Sequence, residues 1–337
     1  YGWRGASIQN ILDFEKDYPA TRVVVLEQNY RSTQTILDAA NKIISKNSNR
    51  KAKNLWTQRG GGEKINHYLA DNERHEAEII ANEIEDLLTG AEFQNYNNFV
   101  VLYRTNAQSR VIEEVFLRYG IPYRIVGGIR FYQRKEIKDL ISYLRVIQNP
   151  NDTVSLLRII NVPTRKIGAK TIETIQEFAR KHNLSLFNAI ILAEDVPELA
   201  GSKSAEVLKF VKLIKDLQNS SKENTVSGII KLVLEKSGYK EMLNDGSVEG
   251  EARLENISEL VSVAQKYEKL EPGMALSIFL EEVSLIADAD TMDDGDNAVT
   301  LMTVHSAKGL EFPYVFVAGL EDGIFPHSRS LLDRQEL

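Results

Sequence analysis

Cysteine is absent from the 337 residues, which excludes disulfides, thiolate nucleophiles and cysteine-ligated metal. The 5 histidines stand at 67, 75, 182, 305 and 327, too scattered to suggest a zinc pair, so no metal held by protein ligands alone is expected. No run of about 18 apolar residues occurs, and the opening YGWRGAS lacks a signal-peptide pattern. A cytoplasmic chain with no membrane contact is the expectation. An excess of basic charge is missing too: 41 Lys and Arg against 48 Asp and Glu give a formal net charge of −7. That balance excludes a uniformly basic nucleic-acid binder but leaves local patches open, because binding follows the local field rather than the sum.

Base is clustered. Arg50, Lys51, Lys53 and Arg59 form one group, Arg130, Arg134, Lys135 and Lys138 a second, and Arg165, Lys166 and Lys170 a third. Acid gathers in EEVSLIADADTMDDGDN. Read as a calcium loop from Asp290, this stretch puts Gly295 in the sixth place but Met292 in the third and Leu301 in the twelfth. The EF-hand pattern fails, and a solvated linker is the reading.

What is present is globular in composition, 43% hydrophobic and 26% charged, and long enough for two domains. From Arg22 to about residue 149, short β-rich runs (VVVL at 23–26, INHYLA at 65–70, FVVLY at 99–103, YRIVG at 123–127) are each followed by helical periodicity. That alternation describes αβ units around a largely parallel sheet. In one of them Asp71 serves as a cap, and Ala77, Ile80, Ala81, Ile84, Leu87 and Leu88 recur at helical spacing up to Gly90. From about 150 to 288 the strand signals vanish, and strand-like runs resume at AVTLMTV and YVFVAGL. The expected fold class is α/β, a parallel-sheet domain interrupted by a large all-helical insertion. A linear pair of domains would leave the last two strands without a sheet.

Several segments carry chemistry. In LEQNYRSTQTILDAA a strand gives way to a loop and then to a helix capped by Ser32 or Thr33. Tyr30 and Arg31 are left beyond the strand's carboxyl end, where open α/β sheets bind ligands. An aromatic ring beside a guanidinium suits a nucleotide; a Tyr packed on its helix and an Arg paired with an acid is the other reading. YGWRGA sets Tyr1, Trp3 and Arg4 among glycines, which suits stacking on unpaired bases or a terminal stretch with no role. In VPTRKIGAKTIETI, Gly168 precedes an amphipathic helix beside Arg165, Lys166 and Lys170, as for duplex backbone or for an ordinary capped helix. Pro163 stands where a Walker A loop has its first Gly, so nucleotide binding is excluded there. LMTVHSAKGLEF places Lys308 and Glu311 in a polar loop after a buried strand, again without the Walker A pattern.

Taken together, YGWRGA, QNYRST, LYRTNAQSR, IPYRIVGG with FYQRKEIKD, and TVHSAKGLEF with GLEDGIFPH resemble, in order and spacing, the superfamily-one DNA helicases of the UvrD, PcrA and Rep type, the PcrA group above all. The resemblance spans nearly the whole chain. It implies two RecA-like domains that clamp ATP, each with a helical insertion. This chain then holds the end of the first RecA-like domain (1–31), the second (32–130 and 297–337) and its helical insertion (131–296). On that resemblance Tyr30 stacks on adenine, Arg31 is the catalytic arginine finger on the γ-phosphate, and Glu311 binds the ribose. Arg104, Asn106 and His305 contact single-stranded DNA, and Tyr1, Trp3 and Arg4 grip the unpaired strand. Arg165, Lys166, Gly168 and Lys170 match the element that contacts duplex.

The same resemblance implies ATP and Mg2+ as cofactors of the complete protein. The Walker A loop and the Mg2+ ligands then lie outside this chain, with a second arginine finger beyond Leu337, so a fragment is expected. The implied partners are single-stranded DNA, duplex DNA with a 3′ tail and the missing N-terminal RecA-like domain. The implied function is ATP-dependent 3′-to-5′ unwinding in DNA repair or replication by the parent protein, the isolated chain being inactive. A non-catalytic DNA-binding fragment and a helicase–nuclease subunit are the alternatives.

Overall fold

The computed structural model describes residues 9–47, 52–89, 95–199, 201–289 and 297–325. They form two compact units, Tyr1–Leu69 and Ala70–Leu337. The acidic stretch 290–296 and the residues around Gly90 lie outside the described residues.

In the first unit, α1 (Gln9–Asp17) is followed by irregular chain and then by α2 (Gln34–Ile44), which starts where the spacing predicts. Thr33 occupies the cap position but makes no side-chain capping bond. The amides of Gln34 and Thr35 donate instead to the carbonyls of Gly60 and Gly61, at 2.8 and 3.0 Å. Asn41 exchanges a second pair of bonds with the backbone of Leu55, at 2.9 and 3.2 Å, so the stretch after residue 52 is laid along the helix. The expected strands at 23–26 and 65–70 do not form. Val23 to Leu26 form no regular element and are 44–77% exposed. β-Branched composition makes a strand only where a neighbour supplies the ladder, and the pairing described in this unit is the isolated bridge between Gln28 and Trp56.

The second unit opens with α3 (Glu73–Thr89), capped by Asn72 rather than by the expected Asp71. Its Oδ1 accepts from the amides of Arg74 and His75 at 3.1 and 3.0 Å. Ala77, Ile80, Ala81, Ile84 and Leu88 are buried as the spacing predicts, while Leu87 faces outward. Then follow β1 (Phe99–Tyr103), α4 (Ser109–Tyr119) and β2 (Tyr123–Val126). The chain next runs through α5 (Lys135–Gln148), α6 (Thr153–Ile159), α7 (Ala169–His182), α8 (Leu186–Ile191), α9 (Ser202–Ser220), α10 (Val226–Ser237), α11 (Tyr239–Leu243), α12 (Val248–Gln265) and α13 (Pro272–Ala289). It returns to the sheet as β3 (Val299–Thr303) and β4 (Tyr314–Val317). Among the described residues no strand lies between β2 and β3, and no helix is long and apolar enough to cross a membrane.

The sheet order is β2-β3-β1-β4, every pair parallel, with Val101 opposite both Leu301 and Phe316 and Ile125 opposite Leu301. β1 and β3 are buried almost throughout, as parallel strands covered on both faces are, whereas β4 is an edge strand with Tyr314, Val315 and Val317 exposed. Two hydrophobic cores result. One packs Ile84, Val101, Phe116 and Leu301 against the sheet. The other joins Leu144, Ile230, Leu260 and Phe279 inside the helical body.

Separate cores predict separable damage. Leu301→Ala, which opens a cavity at the centre of the sheet, should cost about 2–5 kcal/mol. Amide hydrogen exchange should then quicken in β1 and β3 while the amides of α10 keep their rates. Equal acceleration in both places would show a single cooperative core.

Candidate nucleic-acid and nucleotide sites

Because the strands are parallel, the loops after β1, β2 and β3 emerge at one edge of the sheet, its carboxyl edge, where open α/β sheets carry their ligands. The loop after β1 is locked by a capping box: Gln108 Oε1 accepts from the amides of Arg104 and Thr105 at 2.9 and 3.0 Å. The loop after β3 is tied to the same strand end, Val304 donating to the Tyr103 carbonyl at 2.9 Å. It then turns tightly, with Ser306 and Ala307 donating to the Thr303 carbonyl at 2.9 and 3.2 Å. Two glycines let these segments close up. A Cβ at Gly127 would lie 2.8 Å from Ser306 Oγ, one at Gly319 would lie 2.1 Å from Gln108 Nε2, and both residues have positive φ.

Arg104 and His305 meet at this edge, Arg104 Nη1 lying 3.1 Å from His305 Nδ1 and 3.2 Å from Nε2. Partial burial, then the adjacent Arg104 cation, hold the imidazole below its ordinary value. At neutral pH the ring is therefore neutral, with one nitrogen to accept and the other to donate. Asn106 follows in the same loop, its carbonyl accepting from Arg134 Nη2 at 2.9 Å. Lys308 and Glu311 lie beyond His305 on the exposed side of the turn.

Tyr30 and Arg31 lie in the first unit, in a turn built by Asn29, whose Oδ1 accepts from the amides of Arg31 and Ser32 at 3.0 and 2.8 Å. Arg59 Nη1 donates to the Arg31 carbonyl and, at 3.4 Å, to that of Tyr30. The Tyr30 ring is 77% exposed, so it is not packed on its helix, and its hydroxyl donates to Gln28 Oε1 at 3.1 Å. Tyr1, Trp3 and Arg4 lie outside the described residues.

The basic turn before α7 divides. Gly168 is the N-cap residue of α7, without a side-chain capping bond, and it is exposed together with Lys166 and Lys170. Arg165 departs from the expectation that groups it with them. Its Nη1 donates to the carbonyls of Ile159 and Ile160 at 3.0 and 3.4 Å, and its Nη2 to Tyr143 Oη at 2.5 Å and the Ser237 carbonyl at 3.4 Å. The guanidinium also sits 5.4 Å from the centre of the Phe210 ring. At the end of α6 the Ile159 carbonyl also accepts from the Val162 amide at 3.0 Å, and Arg165 adds a side-chain donor there.

Sequence reasoning gave Gln108 and Asn256 no role and grouped Arg134 only with its basic neighbours. The first was legible as Thr-x-x-Gln ahead of an apolar run. Arg134 and Asn256 were not, since their contact joins residues 122 positions apart.

The pattern of the UvrD-like helicase C-terminal domain matches residues 24–336, and the chain belongs to that family. It is 51% identical over 335 residues to the ATP-dependent DNA helicase PcrA of Staphylococcus epidermidis. It is 50% identical over 334 residues to the protein of the same name from Staphylococcus aureus. Each match covers 98% of this chain and 45% of the relative, so the chain spans just under half the length of these relatives.

The Arg104 contact gives His305 a testable titration. Its value in the folded chain lies below that of the unfolded chain, so unfolding takes up a proton between the two. The group's contribution to stability therefore grows as pH rises from the depressed value through about 6.5. Arg104→Ala removes the like charge and should raise the His305 value part of the way back, as read from its ring proton shifts by NMR. No movement would mean that burial alone sets it.

Proposed function

We propose that this chain is part of an ATP-dependent DNA helicase: the end of a first RecA-like domain (1–31), a second RecA-like domain (32–130 and 297–337) and a helical insertion (131–296). The parent protein moves 3′ to 5′ along single-stranded DNA and opens duplex with a 3′ tail, in repair or replication, in the cytoplasm. One observation supports the reading most. Arg104 and His305, 201 positions apart and each in a segment that resembles a helicase motif, lie 3.1 Å apart at the carboxyl edge of a parallel sheet. A guanidinium beside a neutral imidazole suits one phosphate and the base or sugar next to it.

In this reading Arg104, Asn106 and His305 hold the unpaired strand, together with Tyr1, Trp3 and Arg4. Contacts of that kind tolerate any sequence. Lys166, Lys170 and the turn at Gly168 face duplex backbone, a role that Arg165 supports from within by fixing the turn. Tyr30 stacks on adenine, Arg31 reaches the γ-phosphate and Glu311 the ribose. An exposed ring beside a guanidinium whose backbone is held by Asn29 and Arg59 is chemically fit for a nucleotide. When bound, ATP would supply the transferable phosphoryl group, and Mg2+, assigned to ligands elsewhere in the parent protein, would offset its negative charge. Arg31 adds positive charge where the transition state concentrates negative charge. The segment from His305 to Glu311 then serves both ligands, one at each end.

In the full-length gene product, Arg31→Ala should lower DNA-stimulated turnover by about 10³-fold or more while leaving single-strand affinity nearly intact. A matching loss of DNA binding would make Arg31 a structural residue instead.

A further inference from the structure

The join between the sheet layer and the helical body is polar, which is unusual for a surface this well buried. Arg134 is 6% exposed and Asn256, on α12, is 7% exposed. Arg134 Nε donates to the Ile129 carbonyl at 3.1 Å, and Nη2 donates to the Asn106 carbonyl at 2.9 Å and to Ser109 Oγ at 2.8 Å. Its Nη1 donates to Asn256 Oδ1 at 2.7 Å, and Glu113 stands 3.9 Å away as counter-charge. Asn256 in turn donates to Glu136 Oε1 at 2.6 Å. Beside this chain of bonds, buried Arg110 pairs with Glu114 of α4 at 2.8 Å and with Glu259 of α12 at 3.1 Å. A buried guanidinium is unfavourable unless every donor is placed, and apolar packing would hold the two layers together at lower cost. The fork is aimed at a particular backbone atom, the carbonyl of Asn106, in the loop that also carries Arg104.

We propose that Arg134 is a positioning residue for the strand-binding loop: one arm of its fork fixes the Asn106 carbonyl and the Ser109 hydroxyl while the other is anchored on Asn256 of α12. The loop shape that Gln108 begins is completed where the loop seats on the helical body. This rests on the reading of that loop as a contact for unpaired DNA. Lys cannot replace the fork, because an ammonium is a single point charge and cannot hold these acceptors in one plane. The Asn256 anchor is separable from the loop contact, since Asn256→Ala leaves the bonds from Arg134 to Asn106 and Ser109 in place.

The test is equilibrium binding of a fluorescein-labelled oligothymidylate by the full-length gene product, with melting temperature measured alongside. The variants are Arg134→Lys, Asn256→Ala, Arg104→Ala, Asn106→Ala and, as a stability control, Leu260→Ala in the helical core. Arg134→Lys should weaken binding about tenfold or more and Asn256→Ala somewhat less, from the loss of charged hydrogen bonds. Leu260→Ala, at comparable loss of melting temperature, should stay within about twofold of the parent. In the Arg134→Lys background the effect of Asn106→Ala should shrink, because the loop is already displaced. Arg134→Lys and Asn256→Ala no worse than Leu260→Ala, or an Asn106→Ala effect undiminished by Arg134→Lys, would overturn the proposal. Should Arg134→Lys fail to fold, Asn256→Ala against Leu260→Ala decides. If Arg104→Ala also leaves binding untouched, the strand-contact reading fails and this inference with it. If Arg104→Ala weakens binding and the Arg134 and Asn256 variants do not, the positioning role alone is wrong.

Discussion

Val100 to Tyr103 lie opposite Thr300 to Thr303 in parallel register, so the carboxyl ends of β1 and β3 coincide, and the rest of the structure depends on that ladder. It is what makes Arg104 and His305 neighbours across 201 positions of sequence. A slip of one residue would turn each strand's side chains to the opposite faces and part the two loops. Parallel strands need a crossover, and here the crossover is an entire helical body. The entropy of closing a loop rises only slowly with its length, so a large insertion adds little to the cost of a short one. The helical body also brings its own core, in which Leu144, Ile230 and Leu260 are fully buried.

The backbone around the candidate site residues is fixed by neighbouring side chains. Gln108 fixes the amides around Arg104, Asn29 those of Arg31 and Ser32, and Arg59 the carbonyls of Tyr30 and Arg31. Guanidinium groups then divide by burial. Arg134 and Arg165 are consumed by internal acceptors, while Arg31 stays on the exposed surface. Arg104 stands between these cases, half-buried with the His305 ring against its guanidinium.

Much of this was legible in sequence, and the reasons are specific. FVVLY and AVTLMTV declare strands because parallel strands buried on both faces need apolar runs, YRIVG and YVFVAGL do so by their β-branched and aromatic content, and the long stretch without such runs declares the helices. VVVL misled, since β propensity reports fitness for a ladder without saying that a partner is at hand. Asp71 and Asn72 compete for one cap, and a shift of a single residue is below what composition resolves. Arg165 misled for a different reason. A basic residue beside a lysine reads as surface charge, and only the fold reveals that the end of α6 lies within its reach.

The claim that the carboxyl-edge loops hold the unpaired strand is tested most directly by amide hydrogen exchange of the full-length gene product, with and without saturating oligothymidylate and in the absence of nucleotide. The account predicts slowed exchange at residues 103–108 and 304–310, with α8 and α10 unchanged. Exchange in those two loops that DNA leaves untouched, while protection appears on the helical body alone, would contradict it.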